Sequence, residues 1–256
     1  MIFAAAMRRA YIYPHRSVRS FPLSRRRLIT ALGMALLLSA AVVYFGRSLL
    51  AAHNRISSFV LSQTRIPSSG LRIVEVFPFL GSAAAPDVPV PHHRTNPLRT
   101  GVSFAACVLA LMLIHRRVPL SRNFVVFLLI LLCAAGAVIV FNPSFYFDSA
   151  MFEQIWLRGE ILVWIILPWV SAFLFVLTLP SAPTGVAWAL LVQVYAVVWS
   201  AVRLAFCLGV LHYTGILFLP LLWFCLGLLF DLVYILVFYS LALHLSIKKD
   251  GGLRAS

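Results

Sequence analysis

Apolar residues in this chain come in long unbroken runs, neither alternating as in a half-buried strand nor spaced as on a surface helix. Runs at 28–46, 98–114, 123–141, 161–179, 186–211 and 216–247 approach the length a helix needs, since about 20 residues cross roughly 30 Å of hydrocarbon. The pattern predicts an all-α fold: a polytopic transmembrane helical bundle of about six spans, with a small extracytoplasmic segment after span one. The expected divisions are a basic cytoplasmic N-terminus at 1–27, a first transmembrane helix at 28–49, an extracytoplasmic segment at 50–97, a five-helix region at 98–247 and a basic cytoplasmic tail at 248–256.

Two runs are irregular. The second is uninterrupted only over 101–114, so Arg99 and His115 must snorkel or the bilayer must thin locally; a re-entrant hairpin with the third run is the alternative. The sixth is too long for one perpendicular crossing, so it tilts, or Pro220 separates an interfacial piece from the span proper. Pro168 predicts a kink in the fourth.

The segment after span one has a pattern of its own. Ile56, Phe59, Val60 and Gln63 fall at helical spacing, which predicts an amphipathic continuation ending before Pro67. A turn at Pro67-Ser68-Ser69-Gly70 leads to the β-branched run 71–77, a strand. Pro86, Pro89, Pro91 and Pro97 then predict an extended linker. This is too little chain for an independent domain.

Composition sharpens the membrane reading. With 62% hydrophobic and 11% charged residues and a mean hydropathy of +0.98, the chain has more apolar side chains than a soluble globule can cover. The net charge of +14 would suggest nucleic acid in a soluble protein, but Lys and Arg cluster at the ends of apolar runs, where anionic headgroups account for them. Lipid is the expected partner, with room for a membrane-protein partner and none for nucleic acid. With both termini inside, cytoplasmic segments hold thirteen Lys and Arg against seven outside, mostly in one long loop. The run at 28–46 is too long for a signal-peptide core, so an uncleaved first span is expected, with Met1 or Met7 as the start. The preference for Arg over Lys suggests a GC-rich bacterial genome and a cytoplasmic (inner) membrane.

Candidate chemistry is sparse. Arg203 and Asp231 are the formal charges well inside apolar runs, on consecutive antiparallel spans joined by a short turn. Such a charge costs at least about 2.5 to 3.5 kcal/mol at the bilayer centre, so it faces the protein and takes a partner. An ion pair is expected even though, counted from that turn, Arg203 lies about 14 Å deep and Asp231 about 20 to 24 Å. Either the pair holds two helices together or it belongs to a polar site with Trp199 and Tyr234 on the same faces. Cys107, Cys133, Cys207 and Cys225 lie inside apolar runs with no CxxC pair, so inert thiols are expected and no metal or cofactor is signalled. His92-His93-Arg94 reads as solvated linker, and His212 and Tyr213 as interfacial anchors. No GxSxG, HExxH, GxGxxG or GxxxxGK[ST] occurs, nor paired carboxylates inside the runs, which argues against hydrolase, nucleotide or intramembrane-protease chemistry.

From Ser69 to Val176 the layout resembles the exosortase and archaeosortase membrane family. Leu71-Arg72-Ile73-Val74-Glu75-Val76 is similar to that family's external strand, His115-Arg116-Arg117 to its basic turn, and Asn142 to the Asn after the next helix. The resemblance implies a place in envelope protein sorting. No cysteine follows the strand at the place where that family's nucleophile would sit, Phe145 stands where Asn-x-x-Arg needs arginine, and no histidine occurs between Asn142 and Val176, so a thiolate mechanism lacks its parts. The expectation is therefore a noncatalytic accessory component of an exosortase-like sorting or export system. The alternatives are a small transporter or channel subunit using Arg203 and Asp231, and an enzyme with an unrecognised membrane-embedded site.

Overall fold

The computed structural model describes residues 24–64, 66–67, 70–78, 81–89, 102, 105–106, 108–110, 122–141, 149–215 and 218–252. The architecture is mostly helical. Among these residues Arg25–Tyr44, Ser149–Val176, Ala182–Thr214 and Leu219–Ser246 are long and apolar enough to cross a bilayer, and Phe124–Val138 is apolar but shorter. The run at 98–114 lies largely outside the described residues, as do Cys107, His115, Asn142, Phe145 and His92-His93-Arg94.

Helix α1, Arg25–Tyr44, begins at Ser24, whose Oγ accepts from the Arg27 N–H at 3.3 Å. It runs antiparallel to α4, Ser149–Ser171. Ser39 Oγ donates to Ile165 O at 2.8 Å, Arg27 Nη1 donates to Leu179 O at 3.3 Å, and Arg27 Nη2 donates to Pro180 O. A helix end leaves carbonyls without intrahelical partners. Here the basic end of α1 supplies donors to the chain leaving α4.

After Phe45 the chain continues as α2, Gly46–Gln63. The helix is where the spacing placed it, but it packs on a different face. Its buried stripe is Leu50, His53, Asn54, Ser57 and Leu61, whereas Phe59 is 66% exposed. Polar side chains seat α2 because its neighbours offer carbonyls: Ser57 Oγ donates to Ala201 O at 3.1 Å, and Asn54 Nδ2 donates to Ala84 O.

The strand expected at 71–77 has a partner that the prolines concealed. β1, Gly70–Phe77, pairs antiparallel with β2, Gly81–Asp87, whose first residue, Gly81, adopts φ 76. Residues 81–87 are thus a strand and not part of a linker. Pro86 is tolerated because a two-stranded sheet has only edges. The hairpin is held at both sides, β2 against α2 and β1 against α4. On the α4 side Gln154 Nε2 donates to Glu75 O at 2.9 Å and Arg158 Nε to Val76 O at 2.6 Å.

The core lies where α2, α4 and α5, Ala182–Thr214, meet. Pro168 lacks the N–H that would satisfy Trp164 O one turn back, and Gln193 Nε2 of α5 donates to that oxygen at 3.0 Å. A π-helical turn, Ala172–Val176, follows. The predicted kink site is therefore bonded across to α5. At the start of α5, a Cβ on Gly185 would lie 2.6 Å from Phe175 O and 2.8 Å from Val176 Cα. Both are backbone atoms and cannot swing aside. Gly185→Ala is expected to destabilise the fold by about 1–3 kcal/mol, read as a lower melting temperature in detergent. Unchanged melting would show that this turn yields.

The sixth run is one helical stretch in three parts: α6, Leu219–Leu222, a π segment, Trp223–Leu229, and α7, Phe230–Gly252. Pro220 sits in the first turn, where a missing N–H costs nothing, so it opens the helix without breaking it. Helix α3, Arg122–Phe141, packs against α6, and its Phe127 meets Phe224 of the π segment edge-on at 4.9 Å. Leu232, Val233, Leu236 and Val237 point outward from α7, an apolar face suited to lipid.

Candidate functional site

Helix α4 carries Trp156, Glu160 and Trp164 at four-residue spacing, which places all three on one face, and all three are buried. Facing them from α5 is Arg203, 2% exposed. From the other side come the π segment and Asp231 in the first turn of α7.

One guanidinium joins these elements. Arg203 Nη2 donates to Glu160 Oε1 at 2.9 Å and Oε2 at 3.3 Å, and lies 2.8 Å from Asp231 Oδ1. Arg203 Nη1 donates to the carbonyls of Leu226 at 2.5 Å and Gly227 at 2.9 Å. The guanidinium carbon is 5.8 Å from the Trp156 ring, within cation–π range. The wide turn of a π helix is what lets side chains reach its carbonyls, a feature frequent at functional sites. The rigid fork of arginine is the side chain that fits this many acceptors at once.

The pair expected from the sequence is thus one arm of a three-membered cluster. Glu160 is its unforeseen member. Trp199 and Tyr234 lie in an aromatic layer beside it: Trp199 stacks on Tyr195 at 6.0 Å, and Tyr234 meets Tyr195 edge-on at 5.3 Å. The ring over the guanidinium is Trp156, from α4. Two carboxylates face one guanidinium, so the cluster with both ionised carries one net negative charge. A cavity of about 120 Å³ touches Trp156, Gly159, Glu160, Trp223, Gly227 and Asp231. Among the described residues no group of three or more His, Cys, Asp or Glu is placed to hold a metal ion. Cys207 is buried, and Cys133 and Cys225 are half-buried, all as free thiols.

His53 forms a second polar point, in α2. Because Asn54 spends its Nδ2 on Ala84 O, its Oδ1 is the acceptor, and His53 Nδ1, 3.2 Å away, carries the proton. The ring sits 5.7 Å from Trp164 and is fully buried. Burial holds its pKa down at about 4 against an ordinary 6.5, so the imidazole is neutral at pH 7. The unfolded chain then binds the extra proton between those two values. Stability is complete above about pH 6.5 and falls as pH drops towards 4, by about 3 kcal/mol. A melting series from pH 7.5 to 4.5 is expected to show this slope and His53→Gln to flatten it; an unaltered slope would place the acid sensitivity elsewhere.

Beyond α2 lies the larger concavity, a groove of about 610 Å³ between α2 and the hairpin. Arg47, Asn54, Arg55 and Ser58 line it from the helix, and Ser82 and Ala84 from β2. At the same end of the bundle His212 Nδ1 donates to Pro89 O at 2.7 Å, tying the chain after β2 to the end of α5. No family model, no curated protein and no solved structure matches this chain.

Proposed function

We propose that this chain is a noncatalytic integral protein of a bacterial inner membrane that acts by binding, and that its binding face is the groove between α2 and β2. The observation that carries this is how Arg203 is engaged. Its donors meet two carboxylates and two carbonyls from three chain segments, an arrangement that locks helices and leaves little of the guanidinium to bind a ligand, while the groove stays open and cationic. With both termini cytoplasmic, the hairpin end faces the extracytoplasmic side. The sequence layout at 69–176, which resembles the exosortase family, supports reading it as an accessory component of envelope protein sorting that holds a ligand or partner for another subunit.

A photo-crosslinking residue at Ala51 or Leu71, which line the groove, is expected to give discrete adducts in native membranes, in contrast to one at the lipid-facing Leu236. Indistinguishable patterns from all three positions would defeat the reading. A second reading, a small transporter or channel subunit working through the Arg203 and Asp231 region, is favoured by the cavity that reaches Glu160 and Asp231.

A further inference from the structure

The groove beside α2 is built of donors. Among the described residues, Arg47 and Arg55 line it, no Asp or Glu does, and Ser58 Oγ is buried there without a hydrogen-bond partner. The strand edge adds more. Leu71 faces Pro86 and Ile73 faces Ala84; Pro86 has no N–H for the ladder, and Ala84 O is taken from the α2 side by Asn54. Alternation along β2 therefore turns the N–H groups of Ala84 and Ser82 towards α2 as well. The Arg47 guanidinium lies over Gly81, its Nη2 3.5 Å from where a Cβ there would be, an ordinary contact distance. Two guanidiniums, a hydroxyl and backbone N–H groups with no carboxylate among them form a site for an oxyanion.

Its height along the bundle selects the source of that oxyanion. Arg47 comes three residues after the membrane-length helix Arg25–Tyr44 ends. Tyr44 is 82% and Phe45 53% exposed, as aromatic residues are at a membrane interface. Leu71, 66% exposed, lines the groove as an apolar wall. A groove with cationic depth and an apolar lip at the end of a span lies at the level of lipid headgroups.

We infer that the groove between α2 and the hairpin holds the phosphate of an anionic phospholipid, through Arg47, Arg55 and Ser58. This rests on the groove being the binding face and adds the chemistry of what it binds. The protein purified in mild detergent is titrated with dioleoylphosphatidylglycerol, dioleoylphosphatidylcholine or inorganic phosphate, and the bound species are counted by native mass spectrometry. One phosphatidylglycerol per chain is expected, retained at least tenfold better than phosphatidylcholine. Arg47→Gln/Arg55→Gln is expected to lose it at least tenfold, and Arg25→Gln at the opposite end to keep it. Because the double variant removes two charges near the hairpin, Ser58→Met, which fills the groove and keeps both arginines, is the second test and is expected to lose the lipid too. Equal retention of both lipids, equal loss in Arg25→Gln, or binding of free phosphate as tight as that of the lipid would each overturn the assignment. Groove-specific crosslinks to an acidic polypeptide, with no lipid preference, would overturn the lipid and leave the binding face standing. Loss of groove-specific crosslinks altogether would remove both.

Discussion

Replacing Arg203 by methionine is expected to cost the protein most of its folded yield. The substitution removes the positive charge and leaves the Glu160 and Asp231 carboxylates buried together, with the Leu226 and Gly227 carbonyls stripped of a donor. Breaking a buried ionic cluster from one side costs about 3–5 kcal/mol, because what remains is uncompensated charge, and typical stabilities are only about 5–15 kcal/mol. The measurement is the melting temperature and monodisperse fraction in detergent. Arg203→Lys is expected to fall between, since a single ammonium cannot span acceptors on α4, the π segment and α7 as a planar fork does. The triple variant Arg203→Met/Glu160→Gln/Asp231→Asn removes all three charges together and is expected to recover part of the loss. If Arg203→Met melts like the unaltered protein, the cluster does not hold the helices, and the case for reading it as a lock disappears.

Arg203 and Asp231 stand out in the sequence because each interrupts an apolar run, and insertion cost alone says that such residues meet something. Glu160 escaped notice because it sits at the edge of its run, next to Gly159 and Arg158, where a charge reads as the flank of a span. The helix in fact begins at Ser149, so Glu160 is an interior residue. The signal was present in another form: Trp156, Glu160 and Trp164 repeat every fourth residue, and a carboxylate between two aromatics on one stripe belongs to the buried face. A hydropathy window averages that stripe away.

The groove was less legible still. β2, Gly81–Asp87, contains three alanines and a proline, none of which favours a strand, and it is a strand because β1 and α2 flank it. The face of α2 was misplaced for a related reason. Apolar spacing pointed to Ile56, Phe59 and Val60, but the partners of α2 present backbone carbonyls, so Asn54 and Ser57 turn inward and Phe59 turns out. Hydrophobic periodicity finds burial only where burial is apolar. Arg47 and Arg55 are two of the seven basic residues counted outside, and only the hairpin beside them makes them one site.

Neutralising the two carboxylates one at a time is expected to behave quite differently from neutralising both. Glu160→Gln leaves Arg203 opposite Asp231, and Asp231→Asn leaves it opposite Glu160, which it bonds through both oxygens. Either single variant keeps one positive and one negative group in contact, and the new amide still offers an oxygen to Nη2. Each is expected to melt within about 1 kcal/mol of the unaltered protein, Glu160→Gln losing more because its acceptor carries two of the hydrogen bonds. The double variant strands the guanidinium on neutral acceptors among apolar helices, and its cost is expected to approach the 3–5 kcal/mol of a broken buried pair, about 2–3 kcal/mol beyond the sum of the singles. Denaturant or thermal melting of the four proteins in one detergent closes the cycle. Small, additive effects would mean that the Leu226 and Gly227 carbonyls suffice to hold Arg203. The second carboxylate would then be surplus to the lock, and the cavity it lines would become the better place to look for a transported ion.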